Sequence, residues 1–245
     1  FTLIGTTDRD FGREPAKPVA SPEEIAYLCA AASEYFKVPV TPDRVVWTYS
    51  GVRPLYDDGA SKAQEATRDY VLELENGEGR SPLLSVFGGK ITTYRRLAEH
   101  ALEKLAPFLH SAKKSSWTGK EPLPGGDFAV NDQPRIVGQL KRAHPWLDET
   151  LARRLVVAYG TRALRLLDGM RGPADLGRVF GADLTEAEVR YLMREEWART
   201  AEDVLWRRSK LGLRLGAEEA AALDAFMQDN APHRLQSASL REVAR

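Results

Sequence analysis

Cysteine is almost missing from this chain: Cys29 stands alone among 245 residues, inside the apolar run Tyr27-Leu28-Cys29-Ala30. No disulfide can close within the chain, which fits a reducing compartment, and a thiol flanked this way reads as a small buried hydrophobe rather than a nucleophile. The four histidines, His100, His110, His144 and His233, show no ligand spacing with Cys or carboxylates, so no metal site is expected. Net charge is missing too. The 35 Lys and Arg balance 35 Asp and Glu, which argues against a nucleic-acid binder and makes any anion site a local one. No apolar run approaches the roughly 18 residues of a membrane span. Nor does any strand pattern lead into G-x-G-x-x-G, the usual dinucleotide pyrophosphate site. The first Met is Met170 and the chain opens at Phe1 inside a strand pattern, so it is expected to be the C-terminal piece of a longer protein.

What is present is globular, with 43% hydrophobic and 29% charged residues, enough for one large or two modest domains. The most informative stretch runs from Leu83 to Leu105. Leu83, Leu84, Val86 and Phe87 make a buried strand pattern that breaks at Gly88-Gly89, after which Ile91, Tyr94, Leu97, Ala98, Ala101, Leu102 and Leu105 recur at helical spacing. Two glycines let a backbone approach a ligand closely, and a following helix N-terminus favours negative charge there. A strand-to-helix turn of this kind also occurs in α/β proteins with no ligand, and the full P-loop spacing is absent.

Upstream, Phe1 to Thr7 reads as a strand ending in Gly5-Thr6-Thr7-Asp8, either a pocket edge or a simple turn. Ser21-Pro22-Glu23-Glu24 is a helix start, with Ile25, Leu28, Cys29, Ala32 and Phe36 on one face. Val45 to Leu55 is β-branched and aromatic, a second strand in which Gly51 marks a bulge and Pro54 ends pairing. Arg53 at its end is either a solvated loop charge or a stiffly held guanidinium suited to bidentate phosphate capture. Tyr56 to Ala66 is polar and turn-rich. Arg68 to Glu75 then alternates as a strand, and Asn76-Gly77-Glu78-Gly79 returns it as a hairpin into Leu83 to Phe87. For Arg68, which shares the strand start with Asp69, the plain reading is a local surface ion pair.

Pro and Gly cluster from Pro107 to Gly126, a linker, and beyond it helical periods replace strands. Helices are expected over about Gln133 to Ala143, Asp148 to Tyr159, Arg162 to Leu167, Thr185 to Trp197, Ala201 to Lys210 and Ala217 to Gln228. Thr185-Glu186-Ala187-Glu188 is a capping box, and Thr200 with Asp203 a similar acidic start. Arg207, Arg208, Lys210 and Arg214 sit near helix ends, where cations complement the macrodipole; an anionic lipid or partner surface is the other reading. The expected class is α+β: a partial β-sheet region with flanking helices over residues 1–106, a linker over 107–126, an all-helical domain over 127–232 and a tail over 233–245.

Five strings, TYSGVRPLYDD, ATRDYVLEL, PLLSVFGGK, GGKITTYRRLA and EWARTAEDVLWRRSKLGL, resemble, in this order, segments of the aerobic FAD-dependent glycerol-3-phosphate dehydrogenases. The resemblance implies the C-terminal portion of a flavoprotein that oxidises sn-glycerol 3-phosphate to dihydroxyacetone phosphate by hydride transfer to FAD, electrons passing to quinone. It implies that the piece by itself is inactive and does not retain FAD. By motif, Arg53 of GVRPL and Arg68 of TRDY resemble the substrate-phosphate arginines, with Thr6 of GTTD lining the pocket. Lys90 of GGK resembles the catalytic lysine beside flavin and substrate, and Gly88, Gly89, Lys90, Ile91 and Thr92 resemble the cofactor-binding turn. The implied location is cytoplasmic, peripheral on the inner face of the cell membrane, with an anionic membrane surface as partner and a homodimer left open. Two rivals stand beside it: an oxidase using O2, and a helical interaction or membrane-docking module.

Overall fold

The computed structural model describes residues 1–9, 18–53, 55–56, 68–77, 79–109 and 117–231. The tail, Pro54, most of the Tyr56 to Ala66 stretch and part of the 107–126 stretch lie outside the described residues. The chain divides into two units, Phe1–Glu121 and Pro122–Arg245.

In the first unit, helix α1 (Pro22–Ser33) begins as its sequence dictates. Ser21 Oγ accepts from Glu24 N at 3.3 Å and Glu24 Oε2 accepts from Ser21 N at 2.9 Å, a reciprocal capping box with Pro22 leading the first turn. Cys29 and Ala32 are buried, but Phe36 lies beyond the helix end and is exposed, so the expected apolar face stops short of it. Strands β1 (Tyr70–Glu75) and β2 (Leu83–Gly88) pair antiparallel with Tyr70 opposite Gly88 and Glu75 opposite Leu83. Next, a single 3-10 turn, Ile91–Thr93, leads into helix α2 (Tyr94–Leu105).

Two expected strands are corrected. Neither Phe1 to Thr7 nor the described part of Val45 to Leu55 joins a ladder. A β-branched, alternating segment becomes a strand only when a neighbour accepts its hydrogen bonds, and among the described residues β1 and β2 pair only with each other. Trp47 and Tyr49 still stack at 4.9 Å, as alternate side chains do. Burial on α2 is likewise less than its periodicity suggests: Ile91 is 86% exposed, and Tyr94 and Leu102 are exposed as well. What α2 packs against is β1 and the 3-10 turn Thr118–Lys120. Beneath that contact Glu99 is buried between Arg95 Nη1 at 2.9 Å, Arg96 Nη1 at 3.1 Å and the Thr118 hydroxyl at 2.5 Å.

The second unit holds nearly all of the buried apolar surface. Apart from Cys29 and Ala32, every buried hydrophobic side chain among the described residues lies here, in one cluster from Ile136 to Met227. Its helices are α3 (Gln133–Ala143), α4 (Glu149–Tyr159), α5 (Arg162–Leu166), α6 (Glu186–Glu195) and α7 (Ala217–Asp229). Where α4 ends, Gly160 passes so close to Gly125 that a Cβ on Gly160 would collide with the Gly125 carbonyl oxygen.

This unit departs from the expected pattern in three places. A short hairpin, β3 (Val179–Gly181) and β4 (Leu184–Thr185), precedes α6, turning through Ala182 and Asp183 at φ 43° and 64°. Three- and two-residue strands are too short to show alternation. Between α6 and α7, Asp203–Arg208 is π-helical rather than α-helical, although the Thr200 and Asp203 cap is reciprocal, with Asp203 N on Thr200 Oγ1 at 3.2 Å and Thr200 N on Asp203 Oδ2 at 3.1 Å. The third case is the Thr185 box, which is only half made. Thr185 Oγ1 accepts from Glu188 N, but the Glu188 carboxylate is taken by Arg154 instead of reaching back.

Candidate functional site

The capping box of α1 also anchors the Gly5-Thr6-Thr7-Asp8 segment. Glu24 Oε1 accepts the Thr7 hydroxyl at 2.7 Å, so one carboxylate ties the helix start and the segment together. The backbone N–H of Ser21, then the Thr7 hydroxyl, hold the Glu24 carboxyl below the usual carboxylate range. Thr6 is exposed and donates to the Thr7 carbonyl at 3.0 Å.

One residue further on, Asp8 gathers both arginines singled out from the sequence. Its Oδ1 lies 3.6 Å from Arg53 Nε and its Oδ2 3.5 Å from Arg68 Nη2, all three side chains being half-exposed. The expectation of a local ion pair for Arg68 gives way to a partner 60 residues away in the chain. Nothing in the local sequence pointed to Asp8 as a partner, because the pairing depends on how three separate segments meet.

The hairpin brings the glycine turn to the same end of the sheet. The ladder ends at Tyr70 opposite Gly88, so Arg68 just precedes β1 and Lys90 just follows β2 at the same end of the hairpin. Gly88 and Gly89 have φ 66° and 93°, in the region that favours glycine, and a Cβ on Gly89 would lie 3.1 Å from Tyr70 Cβ. Lys90 is exposed, its carbonyl accepts from Thr93 N at 3.0 Å and Thr93 Oγ1 at 2.9 Å, and its ammonium has no ion pair among the described residues. Gly89, Ile91 and Thr92 are exposed beside it, and the first N–H groups of such a turn have no partner within it. Below the turn, Tyr70 Oη and His100 Nδ1 meet at 2.5 Å and clasp β1 to α2. They border an open groove of about 520 Å³ shared with Leu72, Glu103 and Lys104.

Chemically, Arg53 and Arg68 gathered on Asp8, with Lys90 following β2 at the same end of the hairpin, supply cations suited to a phosphorylated ligand. The exposed apolar Ile91 beside free N–H groups and Lys90 fits the edge of a planar, electron-accepting ring such as the flavin of FAD, which takes up negative charge when reduced. In the helical unit two of the singled-out arginines have partners within the fold. Arg207 pairs with Asp203 at 3.0 Å and Glu202 at 3.1 Å, and Arg208 donates to the Glu196 carbonyl at 2.6 Å.

Two family models match different parts of the chain. Residues 1–95 match the FAD dependent oxidoreductase family, and residues 116–233 match the C-terminal domain of alpha-glycerophosphate oxidase. The chain is 48% identical over 234 residues to a glycerol-3-phosphate dehydrogenase of Pseudomonas aeruginosa, covering 96% of this chain and 45% of the relative. It is 43% identical over 239 residues to the aerobic glycerol-3-phosphate dehydrogenase of Escherichia coli, covering 98% and 47%. A D-erythritol 1-phosphate dehydrogenase of Brucella abortus is 44% identical over 230 residues, covering 94% and 45%. The chain thus spans a little under half the length of these curated relatives.

Proposed function

Because the chain belongs to the FAD-dependent oxidoreductases of the glycerol-3-phosphate dehydrogenase type, we propose that it is the C-terminal portion of a flavoenzyme oxidising sn-glycerol 3-phosphate to dihydroxyacetone phosphate. FAD, when bound by the whole protein, supplies the hydride acceptor. Arg53 and Arg68 bind the substrate phosphate with Thr6 at the pocket edge, and that binding energy orients the reacting carbon. The ammonium of Lys90 offsets negative charge at the reacting centre, an oxyanion-hole type of contribution. Backbone and hydroxyl groups of Gly88, Gly89, Ile91 and Thr92 line the ring edge. Quinone, met at an anionic membrane surface, is the proposed electron acceptor; no helix among the described residues is long and apolar enough to cross that membrane.

The observation that carries this reading is the convergence of Arg53 and Arg68 on Asp8, at the end of the hairpin where Lys90 follows Gly88-Gly89. Two guanidiniums recognise a phosphate and are indifferent to the length of the polyol behind it. One relative is named a D-erythritol 1-phosphate dehydrogenase, so the substrate panel includes D-erythritol 1-phosphate and unphosphorylated glycerol. In the full-length, FAD-loaded protein, Arg53→Ala and Arg68→Ala should each raise KM for glycerol 3-phosphate about 10- to 100-fold, the worth of a charge-assisted hydrogen bond. An unchanged KM in both variants would overturn the assignment. The oxidase description of residues 116–233 favours O2 as the acceptor instead, and hydrogen peroxide formation against quinone reduction separates the two.

A further inference from the structure

The two arginines gather on a carboxylate that an anion site has no direct use for. Asp8 gives one oxygen to each arginine, Oδ1 to Arg53 Nε at 3.6 Å and Oδ2 to Arg68 Nη2 at 3.5 Å. A carboxylate merely standing in for phosphate would occupy the paired donors of a guanidinium fork, since that is the geometry both anions prefer. Here the recorded contacts are long and come from one nitrogen of each arginine, and neither arginine has a second ion-pair partner among the described residues. The segment that carries Asp8 is anchored one residue earlier, where Thr7 donates to Glu24 in the cap of α1 at 2.7 Å. A line of support therefore runs from the helix start through Thr7 and Asp8 to two like-charged side chains from separate segments.

We propose that Asp8 is a positioning residue for substrate binding, holding Arg53 and Arg68 side by side so that their remaining N–H donors converge on one phosphate dianion. The proposal rests on the phosphate reading of the two arginines given above. Two guanidiniums without an intervening carboxylate repel and regain side-chain freedom, and both costs then fall on the binding step. Asp8 also repels the incoming anion, an effect of opposite sign, so the direction of the change in KM decides between bracing and competition.

The test uses the full-length, FAD-loaded protein with Asp8→Asn, which keeps the shape and removes the charge, and Asp8→Glu, which restores it. Asp8→Asn should raise KM for glycerol 3-phosphate, and the inhibition constant of inorganic phosphate, about 3- to 10-fold, as expected for two half-exposed ion pairs. The value of kcat should stay within about twofold and the thermal midpoint should be unchanged, with Asp8→Glu recovering part of the loss. A KM that is unchanged or lower overturns the proposal. So does a fall in kcat or thermal midpoint at constant KM, which marks a structural role. Arg53→Ala and Arg68→Ala run in parallel keep the failures apart. If these leave KM unchanged, the phosphate reading falls and this inference with it; if they raise KM while Asp8→Asn does not, only the role of Asp8 is refuted.

Discussion

Replacing Arg154 by Met should unfold the helical unit more readily than any surface change, because it removes the charged partner of a fully buried carboxylate. Glu188 on α6 is 0% exposed, and Arg154 on α4 grips it with two bonds, Nη1 to Oε1 at 2.8 Å and Nη2 to Oε2 at 2.6 Å. The Tyr159 hydroxyl adds a third at 2.7 Å, while Arg154 also reaches the β3–β4 turn, with Nη2 on the Asp183 carbonyl at 3.1 Å and Nε 2.8 Å from Asp183 Oδ1. Burial alone works against the Arg154 cation, but its bonds to Glu188 and the charges of Glu188 and Asp183 outweigh that and hold it more firmly protonated than usual. Burial, reinforced by the charge of Glu188, likewise keeps the Tyr159 phenol a neutral donor. Removing one partner of a buried pair costs about 3–5 kcal/mol. The Arg154 side chain is 19% exposed, so water reaches the vacated space and the lower end, about 3 kcal/mol, applies. With a urea slope of about 2 kcal/mol per molar, the midpoint should fall by roughly 1.5 M. Equilibrium urea unfolding followed by tryptophan fluorescence, with far-UV ellipticity in parallel, measures this. Arg154→Met with Glu188→Met should be more stable than Arg154→Met alone, since the uncompensated charge has gone. A single-variant loss under about 1 kcal/mol, or a double variant weaker than the single, refutes the reasoning.

Gly89→Ala should cost about 1–2 kcal/mol for its positive φ alone, with a further penalty from the contact at Tyr70 Cβ. Calorimetry should show the lowered midpoint and the full-length protein should lose FAD faster on dialysis, while Gly51→Ala, which has open space around it, changes neither. Asp148 caps α4 by accepting from Thr150 N and Leu151 N, and these backbone bonds, Leu151 first, hold its pKa below the usual 3.8. A depressed folded pKa means stability that is complete above 3.8 and is lost as pH falls through the lower folded value. Asp148→Asn keeps the capping acceptor without titrating, so unfolding curves recorded from about pH 5 down to about 2 should fall less steeply for the variant.

The parts of this protein that were legible in the sequence are those whose causes lie within one turn or one hairpin. Ser21 and Glu24 are three residues apart and made their box; Asn76-Gly77 returned one strand onto another; Gly88-Gly89 broke the pattern where only glycine fits. Helix α3 was legible because its apolar residues face a core that exists, and Ile91 stays exposed because periodicity states a preference for burial without supplying a partner. The same limit explains Phe1 to Thr7 and Val45 to Val52, which carry strand composition and no ladder. At the candidate site, motif likeness pointed to Arg53, Arg68 and Lys90 one by one, and their number and charge already implied an anion. Their assembly was a tertiary matter. Asp8 reaches Arg53 and Arg68 across long stretches of chain, and Arg154 draws Glu188 away from the cap its own sequence offers. Short-range hydrogen bonds need almost no loop closure and can be read from neighbouring letters, whereas ion pairs between distant segments exist only once packing has met that entropy cost.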